Sequence, residues 1–364
     1  MLFVISSAHS PKDVPQFFIS SSAKNALSKE YSSVTIDFID EAGGATPQFS
    51  MAGSAKYHGN STVGALKHPF NIKFKKKVNL FGFGKDKKWI LLSNPYDPIL
   101  IRNKLVFDFS DLLRFEYTPE NKFVDVWVDN DFCGSYLFVE KIETGPFRLN
   151  IDTDDGDYLL EREQKRKETG EIYIYTDLLD IRLHLNEPED LFIIGEEENE
   201  NILTKKDRYL STITDLSGQL FEIEKALLSL NFETYSKKID IPSMIDFYIV
   251  QELFRNADCD FSSTRFYVKD SVLYGGPVWD FDLSMGNTKS LAKQKTAGYS
   301  CRVMWWSELF KDEIFQRMVY ERYVELQPEI VNLYEDNELG QNRIDYLTET
   351  YAASFARNWD VWDV

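Results

Sequence analysis

The sequence predicts an α+β fold of two lobes, a strand-rich N-terminal half followed by a helix-rich C-terminal half. Three observations predict it. Apolar and polar residues alternate with period two in segment after segment of roughly the first two hundred residues. Helical spacing dominates after an acidic stretch, EEENEN, at 196–201. Aromatic residues make up 15% of the 364-residue chain and hydrophobic residues 43%, enough apolar material for broad sheets and a sizeable core. The acidic stretch reads as a solvated loop and divides a strand-rich lobe, 1–195, from a helix-rich lobe, 196–364. Such an order fits a two-lobed enzyme with a cleft between its lobes.

The elements follow in order. Val34, Ile36 and Phe38 alternate with polar neighbours and run into the turn EAGGA. Phe70, Ile72 and Phe74 repeat the pattern and leave Asn71 and Lys73 on the opposite face. Residues 89–92 form a short apolar strand. Residues 99–113 have helical spacing, with Ile101, Leu105, Phe107 and Leu112 facing inward. Residues 123–128 and 132–139 flank the turn pair Asp129-Asn130 and predict a hairpin. Shorter strands are expected near 158–160 and 172–175. Helices are expected at 207–228 and 243–255, the second capped by Ser243, which follows Pro242 and precedes Asp246 by three residues. Two or three more helices fill the tail from about residue 308.

Charge and composition exclude several function classes. With 59 acidic and 41 basic side chains the net charge is -18, so no nucleic-acid partner is expected. A local basic cluster, Lys73, Lys75, Lys76 and Lys77 with Lys85, Lys87 and Lys88 after it, reads as the solvated ends of a hairpin or as a phosphate site. Cys133, Cys259 and Cys301 give neither a disulfide framework nor zinc spacing. The four histidines are scattered, which argues against a zinc hydrolase. No stretch of about 20 apolar residues is present, so no membrane span is expected. The start, MLFVISSAHS, lacks the basic region and apolar length of a signal peptide; a cytoplasmic chain and a trimmed secreted one both fit. Gly82-Phe83-Gly84-Lys85 carries Asp86 where a phosphate loop needs Ser or Thr, and reads as a turn.

The densest chemical signal is 252–286, ELFRNADCDFSSTRFYVKDSVLYGGPVWDFDLSMG. A helix ends, and a polar loop follows with Asn256, Asp258, Asp260, Ser262 and Ser263. A hairpin over 264–268 and 272–274 then returns the chain to its starting end, so the loop holding Asp258 comes close to the one holding Asp280 and Asp282. Crowded carboxylates call for a cation, and oxygen ligands favour Mg²⁺ or Mn²⁺ over zinc. A loop Asp, a hairpin and then Asp-Phe is also the order in which protein kinases place their catalytic and metal-holding aspartates. The strand-rich half is expected to supply a lysine for phosphates, Lys73 first and Lys67 second, and an acid to position it, Glu140 or Glu161. Each of these residues has a plain structural alternative: a turn cap for the aspartates, a solvated face for the lysines, core for Trp279 and Phe281.

These segments together resemble the CotH family, atypical kinase-like enzymes named for a spore-coat protein. His58-Gly59-Asn60-Ser61-Thr62, then Lys67 and Pro69, is similar to the family's Arg-Gly-Asn-Ser-Thr segment. Lys88-Trp89-Ile90-Leu91-Leu92, with Asp97 and Arg102-Asn103, resembles its Lys-Trp-x-Leu signature. Gly134-Ser135-Tyr136 through Glu140 resembles its Gly-x-Tyr-x-x-x-Glu strand. Asn256-x-Asp258 and Pro277-Val278-Trp279-Asp280-Phe281-Asp282 resemble its two active-site segments. The likeness runs from about residue 30 to 290. It implies an atypical protein-kinase-like fold and ATP-dependent phosphoryl transfer to Ser or Thr of a protein substrate, with Mg²⁺ or Mn²⁺ and, for location, a spore coat. Asp258 would be the catalytic aspartate and Asp280 the metal aspartate, with Ser263 and Asp282 beside it. Lys73 or Lys67, with Glu140, would manage the phosphates. Two positions depart from the pattern: His58 replaces Arg, and Ser263 stands where a kinase places a second metal-binding Asn. Two rival readings are a non-catalytic coat scaffold, which needs neither aspartate, and an Asp-nucleophile phosphatase suggested by Asp280-x-Asp282, whose motif belongs after the first strand of a parallel βαβ unit.

Overall fold

The computed structural model describes residues 14–21, 26–39, 49–59, 62–165, 171–191, 201–288, 299 and 301–362. Its strands are β1 (Gln16–Ser21), β2 (Ser32–Ile39), β3 (Phe49–Tyr57), β4 (Phe70–Val78), β5 (Asp86–Leu92), β6 (Asn121–Val128), β7 (Asp131–Glu140), β8 (Tyr158–Arg162), β9 (Tyr173–Tyr175), β10 (Arg182–Glu187), β11 (Thr264–Lys269) and β12 (Val272–Gly275). Its helices are α1 (Arg102–Ser110), α2 (Asn201–Leu228), α3 (Phe232–Tyr235), α4 (Ile241–Leu253), α5 (Met304–Leu309), α6 (Glu313–Glu325), α7 (Gln327–Asn332), α8 (Arg343–Thr350) and α9 (Ala352–Trp359). The fold is α+β, strand-rich first and helix-rich later. Two compact units form, Met1–Leu105 with Pro119–Lys141 and Asn332–Val364, and Val106–Thr118 with Ile142–Val331. Their boundaries lie elsewhere than the single cut at 196. Residues 196–200 of the acidic stretch fall outside the described residues.

In the first unit β1 to β7 make a closed barrel, in the order β1-β2-β3-β4-β5-β7-β6. Every neighbouring pair is antiparallel except the closing pair β1 and β6. Closure removes both sheet edges. The alternation seen in the sequence becomes the inner wall: Ile36, Phe70, Ile72, Phe74, Trp89 and Phe138 share one core, with Phe138 stacked between Phe17 at 5.0 Å and Trp89 at 4.9 Å. The β6–β7 turn has φ of 50° at Asp129 and 74° at Asn130, the two left-handed residues that a tight hairpin requires. The Asp129 carboxylate also accepts hydrogen bonds from Ser21 N at 2.7 Å and from Ser21 Oγ, tying the end of β1 to this turn. α9 lies on the β6–β7 hairpin, where Phe355 meets Phe123 of β6 edge-on at 5.1 Å and Asn358 Oδ1 accepts from Ser135 N of β7 at 3.2 Å. Gly134 has a φ of 99°, and a Cβ there would come within 2.4 Å of that same Asn358 oxygen.

The second unit centres on an antiparallel sheet of order β12-β11-β8-β10-β9. α4 packs on β12 so closely that a Cβ on Gly275 would lie 2.9 Å from Phe247 Cβ and 3.0 Å from the Ser243 carbonyl. Ten of its residues are buried, among them Asp246. Asp246 accepts from Arg114 N, Nε and Nη2 at 2.8, 3.0 and 2.6 Å and from Arg322 Nε at 2.9 Å. Burial pushes this carboxyl up, but the two guanidinium groups outweigh it and its pKa falls below 3.8.

Several expectations are corrected here. The helix at 99–113 is shorter, because Asp97 caps Arg102 N at 2.9 Å, and Leu112 is exposed at 51% rather than inward. Asp240, not Ser243, caps α4: its carboxylate accepts from Ser243 N at 2.8 Å, and Pro242 occupies the first turn, where a missing N–H does no harm. The tail holds five described helices from α5 onward, not two or three. Strands β1, β3 and β10 add to those the alternation predicts. Among the described residues no helix is long and apolar enough to cross a membrane.

Candidate active site

The site is assembled in the second unit by the end of α4, the β11–β12 hairpin and the segment after it. α4 ends at Leu253, and Arg255, two residues on, has a φ of 49°. The loop that follows is organised by its own side chains. Asn256 Nδ2 donates to Gln251 Oε1 at 2.8 Å, and Asn256 Oδ1 accepts from Asp258 N at 3.0 Å. The Asp258 carbonyl then accepts from Phe261 N and Ser262 N at 2.8 and 3.0 Å. The hairpin turns through Asp270 and Ser271, both at positive φ, 52° and 59°, and returns the chain. Trp279 and Phe281 are buried, Trp279 against Phe107 at 6.0 Å and Phe281 against Phe254 at 6.4 Å. Asp280 between them is left for the site. Met285 N donates to the Phe254 carbonyl at 2.7 Å, which fastens the returning segment to the end of α4.

The hairpin therefore brings the two acidic segments together. Ser263 Oγ donates to Asp280 Oδ2 at 3.0 Å, and both residues have a φ of 63°. Left-handed backbone at a residue other than glycine costs about 1–3 kcal/mol, and here it sits at both ends of one hydrogen bond. Burial raises the Asp280 carboxyl above its ordinary range. The Asp258 charge pushes the same way, while the Ser263 hydroxyl, Lys165 and Arg265 oppose it. Asp260 belongs to the scaffold, since its carboxylate takes Arg162 at 3.1 Å.

Lys165, which belongs to none of the motifs above, adds a cation to this unit. The residues after β8 are stitched to the Asp258 loop by Gln164 N to the Phe261 carbonyl at 2.8 Å and Gln164 Nε2 to the Asp260 carbonyl at 2.7 Å. Lys165 Nζ donates to Ser262 Oγ at 2.8 Å, and Ser262 Oγ donates to Glu163 Oε2 at 2.8 Å. The neighbouring hydroxyls of Ser262 and Ser263 lie 3.3 Å apart. A hydroxyl has one proton, and each of these is already committed to a carboxylate. In the sequence Lys165 sits inside the charged run EREQKRKE, which has the look of a solvated surface.

The barrel unit holds the other expected residues, and it separates them. Lys73 is exposed on the outer face of β4, opposite Ser54 and Lys88. Lys67 is buried at 5% exposure. Its ammonium donates to the Ser135 carbonyl at 2.5 Å and lies 4.7 Å from the Tyr136 ring centroid. Burial lowers its pKa to about 7, against the opposing pull of Cys133 and Asp125. Glu140 is fully buried; its register with Trp89 and Ile72 places it on the inner face of the wall, and its Oε2 accepts from Glu120 N at 3.1 Å. Lys73 and Glu140 thus occupy opposite faces, and Glu140 stands five residues along β7 from the Lys67 partner. The alternative acid, Glu161, belongs to the second unit. Burial pushes it up, but Arg265 at 3.4 Å with His184 and Asn186 brings it down to about 2.

The ligand atoms at Asp280 are oxygens, its own carboxylate and the Ser263 hydroxyl, and Asp282 carries a second carboxylate two residues along the chain. This is the chemistry that suits Mg²⁺ or Mn²⁺. Among the described residues, three acids whose ligand atoms lie within 4.8 Å of one another occur at Glu143, Glu187 and Glu189 instead. Asp280-x-Asp282 follows β12 of an antiparallel sheet, not the first strand of a parallel unit as the phosphatase reading requires. The stretch at 58–62 is described at His58, Gly59 and Thr62; Asn60 and Ser61 lie outside the described residues. Comparison with curated proteins returns no match. The family profile described as CotH kinase protein matches residues 55–364, a span that takes in the barrel wall from the end of β3 onward and the whole Asp258–Asp280 constellation, and the chain belongs to that family.

Proposed function

We propose that the protein is an ATP-dependent kinase that transfers a phosphoryl group to Ser or Thr of a protein substrate. The observation that carries this reading is the Ser263–Asp280 hydrogen bond of 3.0 Å, which joins the loop of Asp258 to the segment of Asp280 at the open end of the β11–β12 hairpin. Asp258 accepts the proton of the acceptor hydroxyl as the new O–P bond forms and the bond to the leaving diphosphate breaks. Asp280, with Ser263 and Asp282, would hold the divalent ion, which neutralises charge on the nucleotide phosphates when bound. Lys73, exposed on β4, is the barrel residue proposed for the nucleotide phosphates; the ammonium of Lys67 is already engaged by the Ser135 carbonyl.

The test is transfer of radiolabel from ATP to a generic protein acceptor with Mg²⁺ or Mn²⁺, wild type beside Asp280→Ala and Asp258→Ala. Label on the acceptor is expected with wild type alone. Asp280→Ala is expected to lose metal-dependent nucleotide binding, and Asp258→Ala to keep binding while turnover drops by orders of magnitude. Equal labelling by all three would refute the assignment. No label, together with no ATP-induced thermal shift in the wild type, would favour the scaffold.

A further inference from the structure

We propose that Lys165 is a catalytic residue of this chain, the cation that contacts the terminal, transferred phosphoryl group of the nucleoside triphosphate. The inference rests on the kinase reading above. Lys165 is built into the same unit and the same loop system as the two aspartates. Its backbone is fixed on one side by Gln164, which bonds to the Phe261 and Asp260 carbonyls, and on the other by Arg182 Nη1, which donates to the Lys165 carbonyl at 2.7 Å.

The side chain is aimed as well as anchored. Ser262 is fully buried at 1% exposure and Glu163 is buried at 9%. The Ser262 hydroxyl donates to Glu163 and so turns a lone pair toward Lys165 Nζ, 2.8 Å away. Ser262 and Glu163 are therefore positioning residues for the ammonium. Among the described residues Ser262 is its one hydrogen-bond partner, which commits one of three N–H donors and leaves two for a ligand. The residue beside Ser262 is Ser263, which carries the bond to Asp280, and the Lys165 charge acts on Asp280 itself. The group that meets Asp280 on one side and the proton acceptor Asp258 on the other is the phosphoryl group in transfer. A preorganised ammonium stabilises the charge on that group most strongly where water is displaced.

The prediction concerns discrimination between nucleotides. Dissociation constants for β,γ-imido-ATP and for ADP, each with Mg²⁺, are measured by titration calorimetry on the full chain for wild type, Lys165→Met and Lys165→Arg. Lys165→Met is expected to weaken β,γ-imido-ATP roughly tenfold to a hundredfold, the effect of losing a charge-assisted hydrogen bond, and to leave ADP within about twofold. Lys165→Arg is expected to recover much of the difference, and unliganded melting temperatures are expected to agree among the three. A merely structural role would weaken both nucleotides alike or neither, and either result overturns the assignment. Binding of neither nucleotide by the wild type refutes the kinase reading itself, a failure distinct from that of Lys165.

Discussion

Lys67 offers a quantitative test of how the barrel is built. Its ammonium is buried and has a carbonyl and an aromatic face for company, and burial sets its pKa at about 7 against an ordinary 10.5. Between those values the open chain holds the proton and the folded chain releases it. The unfolded state then binds more protons, so stability rises with pH across this window and is level below it. The full difference is worth roughly 5 kcal/mol at about 1.4 kcal/mol for each pH step. The part that falls between pH 7 and about pH 9 is roughly 2 kcal/mol. In Lys67→Met the methylene length is kept and the proton is gone, so this contribution disappears. Urea unfolding followed by intrinsic fluorescence, at fixed ionic strength and at several pH values, gives the wild-type-minus-variant difference. That difference is expected to move in favour of the wild type by about 2 kcal/mol from pH 7 to about pH 9. The variant is expected to be the more stable at pH 7 and below, where the cost of the buried charge is complete. A difference that stays level over this range would refute the burial argument and return Lys67 to the nucleotide.

Three further outcomes are expected. Asp246→Asn removes the partner shared by Arg114 and Arg322 and is expected to destabilise the chain by about 3–5 kcal/mol; because the folded Asp246 pKa lies below the ordinary 3.8, its contribution is present above that value and is lost as pH falls through the lower folded one, which acid titration of the urea midpoint reads directly. Gly275→Ala drives a methyl against Phe247 Cβ and the Ser243 carbonyl and is expected to destabilise by about 1–3 kcal/mol in thermal denaturation, whereas a neutral result would mean that α4 and β12 separate easily. Lys73→Met is expected to weaken ATP binding roughly tenfold or more, the loss of an ammonium–phosphate contact, while Lys67→Met leaves the affinity unchanged; titration of both variants checks the ranking.

How much was legible in the sequence varied with the range of the interactions concerned. β2, β4 and the β6–β7 hairpin were readable because alternation at Val34, Ile36 and Phe38, at Phe70, Ile72 and Phe74, and around Asp129-Asn130 is local. β1 offers only the short apolar run Phe17-Phe18-Ile19 between polar ends and β3 is rich in small residues, so neither shows a period. The Leu183 and Leu185 alternation of β10 was present but short. The burial of Lys67 was not readable either, since a lysine beside His68 and Pro69 has the appearance of surface. Asp246 has the local spacing of a cap residue, whereas its partners lie 132 and 76 residues away.

The sequence by itself determined the course from a strand-rich to a helix-rich region and the approach of the Asp258 loop to the Asp280 segment. A hairpin returns the chain to its start whatever surrounds it, and the spacing of the two aspartates around 264–275 needs nothing more. Only the tertiary structure decided that the barrel closes through the parallel pair of β1 and β6, that Lys73 and Glu140 occupy opposite faces of its wall, and that Lys165 joins the loop of Asp258. Each of these depends on which strand lies beside which, and strand partners are chosen by burial and register summed over distant segments. A charged residue has the same local signature whether its neighbours in space are water or a buried carboxylate.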